Sequence, residues 1–149
     1  MDLKIGDKIV FDNDGMIFRE QGIEGHTDPH DQQSIDIAFK REVYLPHRVL
    51  PLRRALLCTE AVIKMDTDSL GLVTLRSTWA RLGLISPPTV VDPGFSGTLT
   101  MEVFNASQRG IWIKPGDIIW NLITMGKRDY PVYQGRYQGQ TGIQIPKAL

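Results

Sequence analysis

Glycine and proline constrain this chain more than any other feature. Fourteen glycines and nine prolines are scattered over 149 residues and cut the sequence into short pieces. Such punctuation leaves little room for long helices, because proline removes a helical hydrogen bond and glycine costs backbone entropy. The pieces between the breaks are mostly apolar or alternating. Lys8 to Phe11 and Met16 to Phe18 flank Asp12-Asn13-Asp14-Gly15, and this reads as a hairpin whose Asn and Gly tolerate positive φ. Ser34 to Ala38, Glu42 to Leu45, Leu72 to Leu75, Thr98 to Asn105, Ile111 to Ile113 and Asp117 to Met125 read as further strands. Arg53 to Met65 fits a helix as well as a strand. Pro46 to Pro51, Asp66 to Gly71 and Lys114-Pro115-Gly116 read as turns, and Arg19 to Gln33 as a polar loop. Short strands with turns at roughly eight- to twelve-residue spacing predict an all-β sandwich or barrel.

One short helix is expected. Ser77 reads as its N-cap, Thr78 to Leu82 as its turns, and Gly83 as its stop. Length predicts a single domain over residues 1 to 149. The segment from Lys127 to Leu149 is polar and rich in Gly and Gln. It has too few apolar residues to pack alone, and is expected to order on a ligand.

Lys and Arg total 17 and so do Asp and Glu, which gives a formal charge of zero. That balance argues against duplex nucleic acid, which needs an extended basic face, but leaves small charged ligands open. Cys58 is the only cysteine, so no intrachain disulfide can form. Its place in Ala55-Leu56-Leu57-Cys58 reads as a small buried hydrophobe. No apolar stretch is long enough to span a bilayer and no signal peptide is evident, so a cytoplasmic protein off the membrane is expected.

The stretch from Arg76 to Glu102 concentrates the chemistry. Arg76 and Ser77 stand at a helix start, where unpaired N–H groups attract phosphate, and Ser77 and Arg81 share one face four residues apart. An ordinary cap with a solvated arginine is the plainer reading. Asp92, in Val91-Asp92-Pro93-Gly94, can anchor a turn or meet a sugar hydroxyl. Between Thr98 and Asn105, Leu99, Met101 and Val103 share one face; Thr98, Thr100, Glu102 and Phe104 share the other. Glu102 therefore points to water, or is partly covered beside Phe104, where burial would raise its pKa toward neutrality. His26 and His30 lie four apart near Asp28 and Asp31, but Gly25 and Pro29 oppose the helix that zinc spacing would need. The one cysteine excludes the Pro-Cys-x-x-Cys of zinc nucleobase deaminases, and no Gly-x-Ser-x-Gly supports a serine triad.

Arg76-Ser77-Thr78-Trp79-Ala80-Arg81-Leu82-Gly83-Leu84 resembles the Arg-Ser-Ser-x-Ala-Arg-Leu-Gly-Leu segment of dCTP deaminases. Val91-Asp92-Pro93-Gly94-Phe95-Ser96-Gly97, continuing to Met101-Glu102-Val103-Phe104-Asn105, is similar to their Ile-Asp-Pro-Gly-Trp-x-Gly and Leu-Glu-x-x-Asn segments. Pro115-Gly116-Asp117-Ile118-Ile119, the Tyr133 to Gln140 stretch and Ser34-Ile35-Asp36-Ile37 extend the resemblance in order along the chain. It implies a distorted β-barrel or jelly-roll of the dUTPase type, assembled as a homotrimer with sites between subunits. It implies deamination of dCTP to dUTP, with Glu102 as the base that activates water at C4. Ser77 and Arg81 would orient water and substrate, and Arg76, Ser77 and Thr78 would cradle the triphosphate. Asp92 would meet the 3′-hydroxyl, the Thr100-Met101 strand edge would read the base, and Tyr133, Arg136 and Gln140 would close over the nucleotide. Mg²⁺ would accompany the triphosphate, held mostly by phosphate and water. The same resemblance admits onward hydrolysis to dUMP, a dUTPase, or a non-catalytic nucleotide-binding regulator.

Overall fold

The computed structural model describes residues 1–11, 27–39, 41–126 and 131–149. The far arm and turn of the expected hairpin lie outside these residues, as do His26 and most of the expected Arg19–Gln33 loop.

Twelve strands and two short helices are seen among the described residues. In chain order they are β1 (Asp2–Phe11), α1 (Gln32–Ala38), β2 (Arg41–Tyr44), β3 (His47–Val49), β4 (Arg54–Thr59), β5 (Ile63–Lys64) and β6 (Leu70–Leu75). Then follow α2 (Ser77–Leu82), β7 (Leu84–Ile85), β8 (Thr89–Val91), β9 (Ser96–Gly97), β10 (Thr100–Asn105), β11 (Ile111–Ile113) and β12 (Ile118–Met125). The main sheet has eight strands in the order β7-β10-β4-β1-β12-β6-β8, with β2 also on β1. It curls into a half-barrel, because β1 serves both of its parts. Asp2 to Lys4 pair with β12, whereas Lys8 to Phe11 pair with β2, and Ile5 to Phe11 meet β4. Register shifts after Leu3 and after Ile5 let one long strand bend between the two. Two small antiparallel pairs, β3 with β11 and β5 with β9, form separate two-stranded sheets.

Alternation supplies the core. Ile5, Ile9, Leu57, Val73, Met101, Val103, Ile113 and Trp120 are each at most 1% exposed and belong to one cluster. Inward residues from every long strand of the sheet meet there. Asn105 is fully buried but satisfied. Its Nδ2 donates to the carbonyls of Val49 and Arg109, and its Oδ1 accepts from the backbone N–H and hydroxyl of Ser107. This ties β3 to the loop between β10 and β11.

Three sequence expectations change. Ser34 to Ala38 is a helix, not a strand. Its buried residues are Ser34, Ile35, Ile37 and Ala38, a helical spacing that five alternating letters cannot separate from a strand. Asp31 caps it by accepting from the N–H of Gln33, and the Ser34 hydroxyl accepts from the N–H of Asp28. The supposed turn from Pro46 to Pro51 contains β3, which is held by β11 rather than by its own sequence. The ambiguous stretch from Arg53 to Met65 resolves into β4 and β5.

The second helix forms nearly as expected. Its N-cap is Arg76 rather than Ser77, and no side chain caps it. Gly83 ends it at φ 110, donating back to the Ala80 and Trp79 carbonyls. A Cβ on Gly83 would sit 2.6 Å from that of Ser107, so chirality and space both require glycine here.

Candidate active site

A cavity of about 390 Å³ opens on the outer face of β10. Thr100 and Glu102 reach it from β10, and Leu56 from the neighbouring β4. β8 and the turn after it supply Thr89, Val90, Val91, Asp92 and Phe95. Phe39, at the end of α1, and the C-terminal segment, with Tyr133, Tyr137, Gln140, Gln144 and Pro146, form the remaining wall.

The C-terminal segment has neither helix nor strand in its described part, yet it does not have to pack alone. Thr98 N–H donates to the Gln140 carbonyl, and Gly139 N–H donates to the Ser96 carbonyl. Gln138 Oε1 accepts from the N–H of Ser96, its Nε2 donates to the Gly94 carbonyl, and Gln144 N–H donates to the Thr100 hydroxyl. A Cβ on Gly97 would lie 2.9 Å from the Gln140 carbonyl oxygen, so this glycine admits the close approach. Tyr133 packs edge-on against Phe95, with ring centroids 5.4 Å apart.

Backbone alternation decides what β10 offers the cavity. Leu99 O accepts from Thr59 N–H and Asn105 N–H donates to Arg53 O, so odd-numbered residues of β10 face β4. Even-numbered residues face the other way. Thr98 is bonded there to Gln140, and the Glu102 carbonyl accepts from the Ser86 hydroxyl at 2.7 Å. Between them, the N–H and C=O of Thr100 and the N–H of Glu102 have no partner among the described residues. Met101 is fully buried and its own backbone groups face Leu57, so the edge that can read a ligand is Thr100 with Glu102 rather than Thr100 with Met101.

Two features fix this edge. Ser86 also accepts from Trp120 Nε1 at 3.0 Å, which anchors the Glu102 carbonyl to the core. Gln140 Nε2 donates to the Thr98 carbonyl, and Gln140 Oε1 is a buried acceptor without a partner among the described residues. An unmet acceptor in a cavity wall invites a ligand N–H or O–H.

Five residues expected from the sequence, Asp92, Thr100, Glu102, Tyr133 and Gln140, thus share one cavity. Of the two readings open for Glu102, the single chain shows the outward one. The even face of β10 looks outward, so Glu102 and Asp92 are exposed. Arg76, Ser77, Thr78 and Arg81 do not line this cavity; α2 packs on β7 instead. Arg76 is occupied, paired with Asp2 and donating to Asn121 Oδ1 at 3.3 Å. Arg136 points elsewhere too, donating to the Ala148 carbonyl at 2.8 Å. Sequence reading missed Phe39, which carried no signal once α1 was read as a strand, and Gln144, which lies beyond the Tyr133–Gln140 stretch. Among the described residues, no group of three or more His, Cys, Asp and Glu could hold a metal ion.

Comparison with known proteins places this geometry in a family. A dCTP deaminase of Pyrobaculum islandicum is 46% identical over 108 residues, 72% of this chain and 59% of that protein. The chain therefore spans about three-fifths of the length of that relative. A dCTP deaminase of Pyrobaculum aerophilum is 35% identical over 150 aligned positions, all of this chain and 80% of the relative. In fold, the chain is similar to a 2′-deoxycytidine 5′-triphosphate deaminase from Agrobacterium tumefaciens at TM-score 0.62, with 14% identity, over 83% of this chain and 38% of that one. It is also similar to the dUTPase of Staphylococcus bacteriophage 80alpha at TM-score 0.50 and 16% identity, over 60% of this chain and 76% of that one. The model of the family described as dCTP deaminase-like matches residues 1–125, and with the relatives at this level of identity it shows that the chain belongs to the dCTP deaminase-like family.

Proposed function

We propose that the chain deaminates dCTP to dUTP, releasing ammonia, with Glu102 as the group that activates water. The observation that carries this reading is the placement of Glu102. β10 delivers its carboxylate into one cavity with Asp92, the open backbone edge at Thr100 and the orphan acceptor of Gln140. Deamination at C4 needs a base for the attacking water and an acid for the departing amine, and one carboxylate serves both in turn. Glu102 takes a proton as the water oxygen bonds to C4. It then returns that proton to the amino nitrogen, the remaining water proton passes from the C4 hydroxyl to N3, and ammonia leaves as the C4 carbonyl forms.

The remaining groups recognise and orient. The Thr100 carbonyl suits the 4-amino group and the Glu102 N–H suits N3, while Asp92 suits the 3′-hydroxyl. Tyr133 and Phe95 give the nucleoside an apolar wall. Phosphate contacts fall to the start of α2, with Arg76, Ser77 and Thr78, together with Arg136 of the C-terminal segment. Arg81 and Ser77 orient the water and the base. Because α2 does not line the cavity of its own chain, these groups come from a neighbouring subunit of a homotrimer. Leu82, Ile85 and Val90 support that contact, since each is more than half exposed along α2, β7 and β8. Mg²⁺ arrives with the triphosphate, needing few protein ligands because phosphate oxygens and water fill its shell.

A second reading has one specific support. Along the edge, Thr100 N–H, Thr100 C=O and Glu102 N–H run donor, acceptor, donor. That order complements the acceptor–donor–acceptor edge of uracil, so hydrolysis of dUTP to dUMP is a further activity of the same cavity. The test of the main reading is Glu102→Gln. Ammonia release from dCTP should fall at least about a hundredfold, while dCTP still raises the melting temperature. Undiminished release would refute the role given to Glu102.

A further inference from the structure

We propose that Gln32 is a positioning residue for the cavity, acting as a clasp that holds residues 144–149 across its mouth. The inference rests on the reading of the cavity as a pyrimidine deoxynucleotide site. Gln32 opens α1, far in sequence from Asp92, Glu102 and the C-terminal segment. Its Nε2 donates to Asp36 Oδ1 at 3.0 Å and to the Pro146 carbonyl at 3.1 Å, and its Oε1 accepts from Ala148 N–H at 2.8 Å. Both N–H groups and the carbonyl of the amide are therefore engaged. The orientation has chemical grounds, because the Pro146 carbonyl only accepts and the Ala148 N–H only donates.

Both ends of α1 touch the site. Its first residue grips the segment that carries Pro146 and, two residues earlier, Gln144, and both of these line the cavity. The residue after its last turn, Phe39, lines the cavity itself. The segment has further holds: Gln144 N–H donates to the Thr100 hydroxyl at 2.9 Å and Arg136 donates to the Ala148 carbonyl at 2.8 Å. Lys147 N–H reaches the Tyr137 hydroxyl at 3.3 Å, and Leu149 N–H reaches the Pro29 carbonyl at 2.9 Å, just before α1. All of these contacts are exposed or partly buried, and exposed hydrogen bonds open locally at low free energy. A clasp of this strength keeps the wall formed while letting a nucleotide enter and leave. Gln32 touches no substrate atom in this scheme. It sets where Pro146 and Ala148 stand, next to Gln144, which Thr100 holds.

The test is Gln32→Met, which keeps the length of the side chain and loses all three bonds. Hydrogen exchange of the ligand-free protein reads the clasp directly. The Ala148 amide should exchange faster while amides of β12 are unchanged; unchanged exchange at Ala148 overturns the clasp. Steady-state kinetics read the positioning. KM for dCTP should rise roughly threefold to tenfold, the loss expected for one or two exposed hydrogen bonds, with kcat little changed. Faster exchange with an unaltered KM overturns the positioning role. If the wild-type chain neither binds nor turns over a pyrimidine deoxynucleotide, the reading of the cavity fails and the positioning role falls with it. The exchange result then still decides whether Gln32 clasps the segment.

Discussion

Cys58 shows how a single residue can be legible in part. Its apolar neighbours predicted burial, and it is 8% exposed. Burial raises its thiol pKa above the ordinary value of 9.0, and the nearby Asp7 and Glu42 carboxylates add to the shift. Those carboxylates are remote in sequence and could not have been read from it. The sign of the linkage follows. Above about pH 9 the unfolded thiol loses its proton while the folded one keeps it, so unfolding releases a proton and stability falls as pH rises. Urea midpoints at pH 8 and pH 10 should therefore drop further for the wild type than for Cys58→Ala. The excess is at most about 1.4 kcal/mol per pH unit. Equal drops would show that Cys58 keeps its unfolded pKa. Glu102 is the converse case. Its motif was plain in the sequence, but its exposure was not, because what lies over an outward strand face depends on other elements.

At the scale of elements, what could be read depended on whether a segment holds itself. α2 carries its own stop in Gly83, β10 alternates, and β6 and β12 are largely apolar runs that follow turn segments, so all four were visible in the sequence. β3 is held by β11, and five residues of α1 fit two periods, so neither could be read locally. The placement of β10 depends on a contact of the same non-local kind. Ser86 bridges the Glu102 carbonyl and the buried indole N–H of Trp120. Ser86→Ala should cost about 1–3 kcal/mol, the usual cost of leaving a buried donor unmet, and should lower the deamination rate less than Glu102→Gln does. Thermal denaturation and kcat measure the two effects, and an unshifted melting temperature would show that the bridge is not needed.

The whole molecule places Glu102 and α2 apart on one chain, although the sequence sets them only about twenty residues from each other. The resemblance implied sites between subunits, and the cavity of the single chain holds Glu102 without any residue of α2. In the proposed trimer, the α2 of one subunit completes the cavity of the next. Two inactive variants, Glu102→Gln and Arg81→Ala, should then recover activity when mixed and refolded together, because some sites receive both native halves. The assembly should run near three times the 16.8 kDa chain mass by light scattering. No recovery on mixing would mean that each chain completes its own site.

The central claim is the deamination of a pyrimidine deoxynucleotide, and product identity tests it most directly. Purified protein is incubated with dCTP and Mg²⁺, and nucleotides are separated by chromatography. The account predicts that dCTP disappears and that dUTP, or dUMP with pyrophosphate, appears together with one equivalent of ammonia. Intact dCTP under conditions where dUTP is consumed would contradict it, leaving the chain a dUTPase on the same fold.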